Sequence, residues 1–294
     1  MGVSRSHGPL TWRNRSSWGR IWGSKVAGSK PWVTAFRLHS VGNRTEVELT
    51  VRRVEDLAPR LRRIVLGGPA FADYLACHPE STDTYVKLVF PTADGEVQRT
   101  YTIRWVDPGA EELAIDFVTH GAEGFAGPWA LDARPGDRLR FRGPGGAYRP
   151  RPDADYQLFV GDESALPAIA ASLAVLDPGA RATAFLEVDG PDHRIDLVTD
   201  ADLTVHWLYR DGAAPGATTL LDDAVRAWDV PAGRIQAFVH GESALLKSVR
   251  PWLLDGRVAR ADISVSAYWR RGVTEEGFRE WKHQQADAVM RPTR

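Results

Sequence analysis

Cysteine is almost missing from this chain: Cys77 is the single thiol among 294 residues. One thiol excludes a disulfide scaffold, a thiolate zinc cluster and a dithiol redox pair. Cys77 is expected to serve as a small, buried or half-buried hydrophobe. Long apolar runs are also lacking, and none approaches the ~18 residues of a membrane span. Charge of one sign is lacking too. The formal net charge is -1, which speaks against a dedicated nucleic-acid binder. Residues 1–44 are the local exception, with Arg5, Arg13, Arg15, Arg20, Lys25 and Lys30 and no acid among them. No apolar stretch follows to complete a secretory signal, so a cytoplasmic protein is expected. What remains is ample: 43% hydrophobic and 26% charged residues predict a globular core.

The chain divides into three by pattern. Residues 1–44, rich in Ser, Gly, Arg and Trp, show neither strand nor helix periodicity and read as a loosely ordered basic extension. From Thr45 the pattern turns to β: Glu46 to Val51 alternates polar and apolar with period two. Further strands are predicted at Leu61 to Leu66, Thr84 to Phe90, Val97 to Trp105, Leu113 to His120 and Asp137 to Arg142, separated by turn formers such as Gly67-Gly68-Pro69 and Asp94-Gly95. Six closely spaced strands with almost no helix predict an antiparallel barrel over 45–150.

Gly143-Pro144-Gly145-Gly146 and the Arg149 to Asp153 run mark a boundary, because proline cannot donate to a sheet ladder. Over 151–294 strands and helices alternate, predicting a doubly wound, mostly parallel α/β domain with a C-terminal helix. Pro251 is expected to kink or end one of its helices. Thr274 reads as the N-cap of the last one, with Glu275 and Glu276 set against its dipole.

Four segments carry candidate chemistry. In Arg99-Thr100-Tyr101-Thr102-Ile103-Arg104, strand alternation puts Arg99 and Tyr101 on one face. A guanidinium there suits a phosphate and the ring suits a flat heterocycle, although an ordinary amphipathic strand has the same pattern. Asp116-Phe117-Val118-Thr119-His120 runs into Gly121, Gly124 and Gly127 and then Trp129. Glycines at a helix start leave amides open to a pyrophosphate. Gly161-Asp162-Glu163-Ser164-Ala165 and His240-Gly241-Glu242 each follow a strand and open a helix, where doubly wound sheets bind nucleotides. Neither is a Gly-x-Gly-x-x-Gly fingerprint. Tyr268-Trp269-Arg270-Arg271-Gly272 ends the last strand with two rings and two cations. No nucleophilic triad or carboxylate dyad is present, and His120 has no partner at metal-ligand spacing.

In order and spacing these segments resemble the siderophore-interacting proteins, FAD-containing ferric-siderophore reductases of the ferredoxin-reductase superfamily, over roughly Thr45 to Lys282. The resemblance implies a six-stranded FAD-binding barrel followed by a nicotinamide-binding α/β domain. It implies FAD held by Arg99, Thr100, Tyr101, Thr102, Asp116, Phe117, Val118, Thr119, His120, Ala126, Gly127, Trp129, Asp162, Tyr268, Trp269 and Arg270. The nicotinamide side would comprise Gly161, Glu163, Ser164, Ala165, Gly241 and Glu242. Arg142, Arg149 and Arg271 are candidates for attracting an anionic ferric siderophore. The implied donor is NADH, NADPH or a ferredoxin. The residues themselves also leave open a general flavin reductase or a carrier that turns nothing over. The chain departs from the family pattern at Ser164, where Thr is usual, at Gly145, where a cation is frequent, and in the glycines after His120.

Overall fold

The computed structural model describes residues 46–119, 124–275 and 277–278. The expected extension 1–44 and the expected site residue His120 lie outside the described residues. Six antiparallel strands close on themselves: β1 (Glu46–Ala58), β2 (Leu61–Gly67), β3 (Tyr85–Thr92), β4 (Gly95–Asp107), β5 (Glu112–Val118) and β6 (Arg138–Gly145). Their order around the barrel is β1-β2-β5-β4-β3-β6. The period-two pattern explains the interior. Val47, Leu49 and Val51 point inward from β1, and Val86, Leu88 and Phe90 from β3. Glu46 and Glu48 face water and join an ion-pair ladder with Arg138, Arg140, Arg142 and Glu96 on the outer surface.

Several expectations are corrected here. The barrel is not almost free of helix: α1 (Phe71–Cys77) and α2 (Ala126–Asp132) belong to it. Phe71 and Tyr74, one turn apart, enter the barrel core from α1, with Tyr74 edge-on to Phe141 at 5.8 Å. Cys77 is exposed at the end of that helix rather than half-buried. β6 runs through Pro144 to Gly145, beyond the expected boundary. A register shift in its pairing with β3 between Tyr85 and Lys87 lets the strand tolerate the missing donor.

Five parallel strands form the second half: β7 (Tyr156–Asp162), β8 (Arg181–Val188), β9 (Asp202–Tyr209), β10 (Ile235–Glu242) and β11 (Ile263–Trp269), ordered β11-β10-β7-β8-β9. Helix α3 (Leu166–Leu173) packs on one face around Phe159 and Phe238. Helices α4 (Leu220–Arg226) and α5 (Ser243–Leu254) cover the other around Val160 and Val239. The connection from β8 to β9 has no α-helix, only a 3-10 turn at Pro191–His193, because its Asp, Gly and Pro residues favour turns. Pro251 does not end α5, which continues to Leu254. Thr274 Oγ1 accepts from Gly277 N at 3.3 Å, the bond expected of an N-cap.

The strand order reverses between β7 and β10. In such sheets the crevice outside the carboxyl ends of those strands is where ligands bind. Asp162 and Glu242 are the last residues of the two strands.

Candidate functional site

A cavity of about 820 Å³ opens at this reversal, walled on one side by the barrel and on the other by the sheet. Sites for drug-sized ligands span roughly 300–1,000 Å³. Thr100, Tyr101 and Thr102 of β4 and Asp116 and Val118 of β5 form the barrel wall, while Asp162 to Ser164 and Tyr268 to Val273 form the other. Two sequence segments 166 residues apart, at Thr102 and Tyr268, thus meet, both residues buried or half-buried at the cavity.

Each wall is braced from behind. The ring of Tyr101 packs on Phe117 with centroids 4.5 Å apart, and Phe117 packs on Trp129 at 5.6 Å. Burial pushes the Tyr101 hydroxyl up, so it stays protonated. The Asp116 carboxylate receives the fork of Arg63 at 2.7 and 2.8 Å, with Arg104 Nε 4.0 Å away. Burial works against the charge on Arg63, but its bonds to Asp116 outweigh this and raise it. Arg99 lies beside the cavity, its Nε 3.3 Å from Glu275 and its guanidinium 5.1 Å from the Phe125 ring. Glu275 also accepts from Thr100 N at 3.2 Å, so its carboxylate ties the segment after β11 to β4.

Across the cavity, buried carboxylates are fully engaged. Asp162 accepts from Ser164 N at 2.9 Å, Ser164 Oγ at 2.5 Å, Glu242 N at 3.0 Å and Trp269 Nε1 at 2.8 Å. Burial raises its pKa, and the bonds from Ser164 and Trp269 pull it back in part. Gly241 makes this possible: its φ is +140°, and a β-carbon there would lie 2.7 Å from Asp162 Oδ2. Glu242 caps α5 by accepting from Ala244 N, and it also receives Ser243 Oγ and, at 3.1 Å, Arg271 N. Glu163 binds Arg210 through two bonds of 2.6 and 2.8 Å. Arg210 in turn lies 3.6 Å from Glu187, whose pKa burial raises.

The structure therefore gathers Thr100, Tyr101, Thr102, Asp116, Val118, Asp162, Glu163, Ser164, Tyr268, Trp269, Arg270 and Arg271 around one space. Other expected residues stand elsewhere. Phe117, Ala126 and Trp129 belong to the barrel core. Thr119 is buried. Gly127 lies on α2. Ala165 packs in the core under α3, and Gly161 and Gly241 are buried strand ends. Arg142 is held by Glu46 and Glu96 on the outer barrel, and Arg149 bonds the Glu80 carbonyl beside a different hollow. Arg60 and Pro215 line the cavity and were not singled out from sequence, and Glu275, expected only against a helix dipole, lines it too. Only burial and distance reveal them.

The donor set suits a flavin dinucleotide: aromatic rings for a planar heterocycle, threonine hydroxyls for its polar edge, and Arg60, Arg270 and Arg271 for a phosphate-bearing tail. Among the described residues no cluster of His, Cys, Asp and Glu is arranged to hold a metal ion. Among them, too, no helix is long and apolar enough to cross a membrane.

The siderophore-interacting FAD-binding domain matches residues 50–98 and 93–148, and the siderophore-interacting protein family matches residues 154–272. The chain is 32% identical over 266 residues to the ferric vibriobactin reductase of Vibrio cholerae, covering 81% of this chain and 96% of that protein. It is 30% identical over 244 residues to the NADPH-dependent ferric-chelate reductase of Escherichia coli, covering 76% and 92%. A solved siderophore utilization protein from T. fusca is similar with a TM-score of 0.72 at 36% identity, over 78% of this chain and 94% of that one.

Proposed function

The chain belongs to the siderophore-interacting protein family, and from that premise we propose that this FAD-dependent oxidoreductase is a ferric-siderophore reductase fed by NADH, NADPH or a ferredoxin. The observation that carries the reading is the cavity in which Thr100, Tyr101 and Thr102 face Tyr268, Trp269 and Arg270. In this reading residues 45–150 bind FAD, and 151–294 receive the electron donor.

Tyr101 and Trp269 would flank the flavin, Thr102 would meet its polar edge, and Arg60, Arg270 and Arg271 would balance phosphate charge. When bound, FAD supplies the means to take an electron pair from the donor and pass electrons on singly. The chain's own residues position and shield. Asp162 holds Trp269 by its indole N–H, and Phe117 holds Tyr101 from below. No side-chain nucleophile or base is needed. Fe(III) prefers hard oxygen donors more strongly than Fe(II) does, so a one-electron reduction loosens the chelate. Two ferric chelates are reduced for each NAD(P)H oxidised.

Anaerobic titration tests this directly. The purified protein should be yellow, and parallel additions of NADH and NADPH should bleach it with at least one of them. A ferric siderophore should then restore the colour faster than ferric citrate does. A colourless protein that refuses added FAD overturns the reading. Bleaching by neither nicotinamide removes both as donors and leaves a ferredoxin.

A further inference from the structure

Two residues that line the main cavity, Arg60 and Glu163, lead from it to the carboxyl ends of β8 and β9. Arg60 Nη1 lies 3.3 Å from Oδ2 of Asp189, the residue just past β8. Glu163 holds Arg210, just past β9, by two bonds of 2.6 and 2.8 Å. In a doubly wound sheet this is where the adenosine ribose of a nicotinamide nucleotide lies. A carboxylate there accepts from the ribose 2′-hydroxyl of NAD, whereas an Arg nearby accommodates the 2′-phosphate of NADP. β8 is the neighbour of β7 in the sheet, so the charges at its end bear on which nucleotide fits.

Carboxylates crowd that position. Glu187 of β8 is 5% exposed and accepts from Thr218 Oγ1 at 2.7 Å, so it is spent inside the fold. Asp189 and Asp192 follow on the turn and flank His193, whose Nδ1 lies 3.0 Å from Asp192 and whose Nε2 lies 3.9 Å from Asp189. The Asp192 side chain is open to solvent. The cations close by are already engaged. Arg210 is buried between Glu163 and Glu187, Arg60 lies against Asp189, and Arg194 turns its guanidinium onto the Tyr209 ring at 5.1 Å. A phosphate arriving here would have to displace a carboxylate from Arg60 or Arg210, and it would meet Asp189 and Asp192 as it did so.

We propose that the turn after β8 makes NADH the electron donor and rejects NADPH, with Asp189 reading the ribose and Asp192 adding to the rejection. The inference rests on the ferric-siderophore reductase reading and narrows its donor. A ribose 2′-hydroxyl is neutral and donates to the Asp189 carboxylate. A phosphate monoester carries roughly 1.5 to 2 negative charges near neutral pH, and like charges brought together cost affinity. Discrimination between two ligands that share every other group needs such a repulsive element as well as an attractive one. Asp189 supplies both.

The oxidised nucleotides separate binding from electron transfer. Calorimetric titration of FAD-loaded protein should show NAD+ binding at least about tenfold more tightly than NADP+. Asp189→Asn keeps the shape and removes the charge; it should weaken NAD+ about threefold and tighten NADP+ about fivefold. Asp192→Asn, at an exposed position, should tighten NADP+ about twofold and leave NAD+ unchanged. Glu48→Gln removes one carboxylate from the outer barrel and should move neither, which separates a local effect from net charge. NADP+ binding as tightly as NAD+, binding of neither, a ratio unmoved in both Asp variants, or the same shift in Glu48→Gln overturns the inference. The underlying reading is tested apart from any nucleotide, by reducing the flavin with dithionite and mixing it with a ferric siderophore. Reoxidation keeps the reductase reading whatever the nucleotide preference; its absence ends that reading while the calorimetric ratio still stands or falls by itself.

Discussion

Asp162 shows how a side chain lining a crevice can hold the crevice itself together. Its two oxygens accept from Ser164, Glu242 and Trp269, which draws the ends of β7, β10 and β11 together. Asn at this position would aim an N–H₂ at donors that already converge there. Asp162→Asn should therefore cost about 3 kcal/mol, the scale for a buried charged acceptor that leaves its donors unpaired. Urea unfolding measures the loss, and a red-shifted Trp emission would report the freed indole. A cost within about 0.5 kcal/mol, the range of neutral surface changes, would mean that the network is dispensable. Arg99 makes a different demand, since its assignment is to the cofactor. Arg99→Ala should weaken FAD affinity about tenfold, equivalent to the ~1.5 kcal/mol of one charge-assisted hydrogen bond. An unchanged affinity would take the guanidinium out of the flavin site.

Among elements, α1 carries the clearest pH dependence. Tyr74 Oη and His78 Nδ1 are 2.8 Å apart and clip the end of the helix to the barrel. Burial holds the His78 pKa below its ordinary 6.5. A depressed folded value means the contribution is complete above 6.5 and is lost as pH falls through the lower folded value. The urea midpoint should accordingly drop between pH 7.5 and pH 5, and His78→Gln should flatten part of that drop. A variant with the full wild-type slope would exclude His78 as its source. The same helix shows where sequence reading ends. The barrel strands were legible because Val47, Leu49 and Val51 repeat with the period of a strand. Helix α1 spans seven residues with two buried and no side-chain cap, too little for a helical period to emerge. In the site, Tyr101, Thr102, Tyr268 and Trp269 were legible because rings and hydroxyls on strands have a fixed facing. Arg142 and Arg149 lie away from the cavity, since charge alone carries no direction. The Arg210–Glu163 pair was invisible, since 47 residues separate partners whose burial no local pattern announces.

At the scale of the molecule, barrel and sheet share a core as well as a cavity. Leu61 of β2, 5% exposed, lies in the same apolar cluster as Phe159, Ile169 and Phe238 of the α/β half. Thr82 Oγ1 and Ser172 Oγ are 2.8 Å apart and join the two halves again beside Tyr148. A cluster common to both halves couples their unfolding, because exposing one strips apolar contacts from the other. Leu61→Ala should cost about 2–5 kcal/mol, as buried leucine truncations do. The loss should appear equally in the hydrogen-exchange protection of β5 and β10, one strand from each half. FAD spans the same boundary in the proposed function. Added at 100 times its Kd, it should raise protection of both strands by about 2.7 kcal/mol. If Leu61→Ala lowers protection in β5 alone, the halves open independently, and the common core does not make them one cooperative unit.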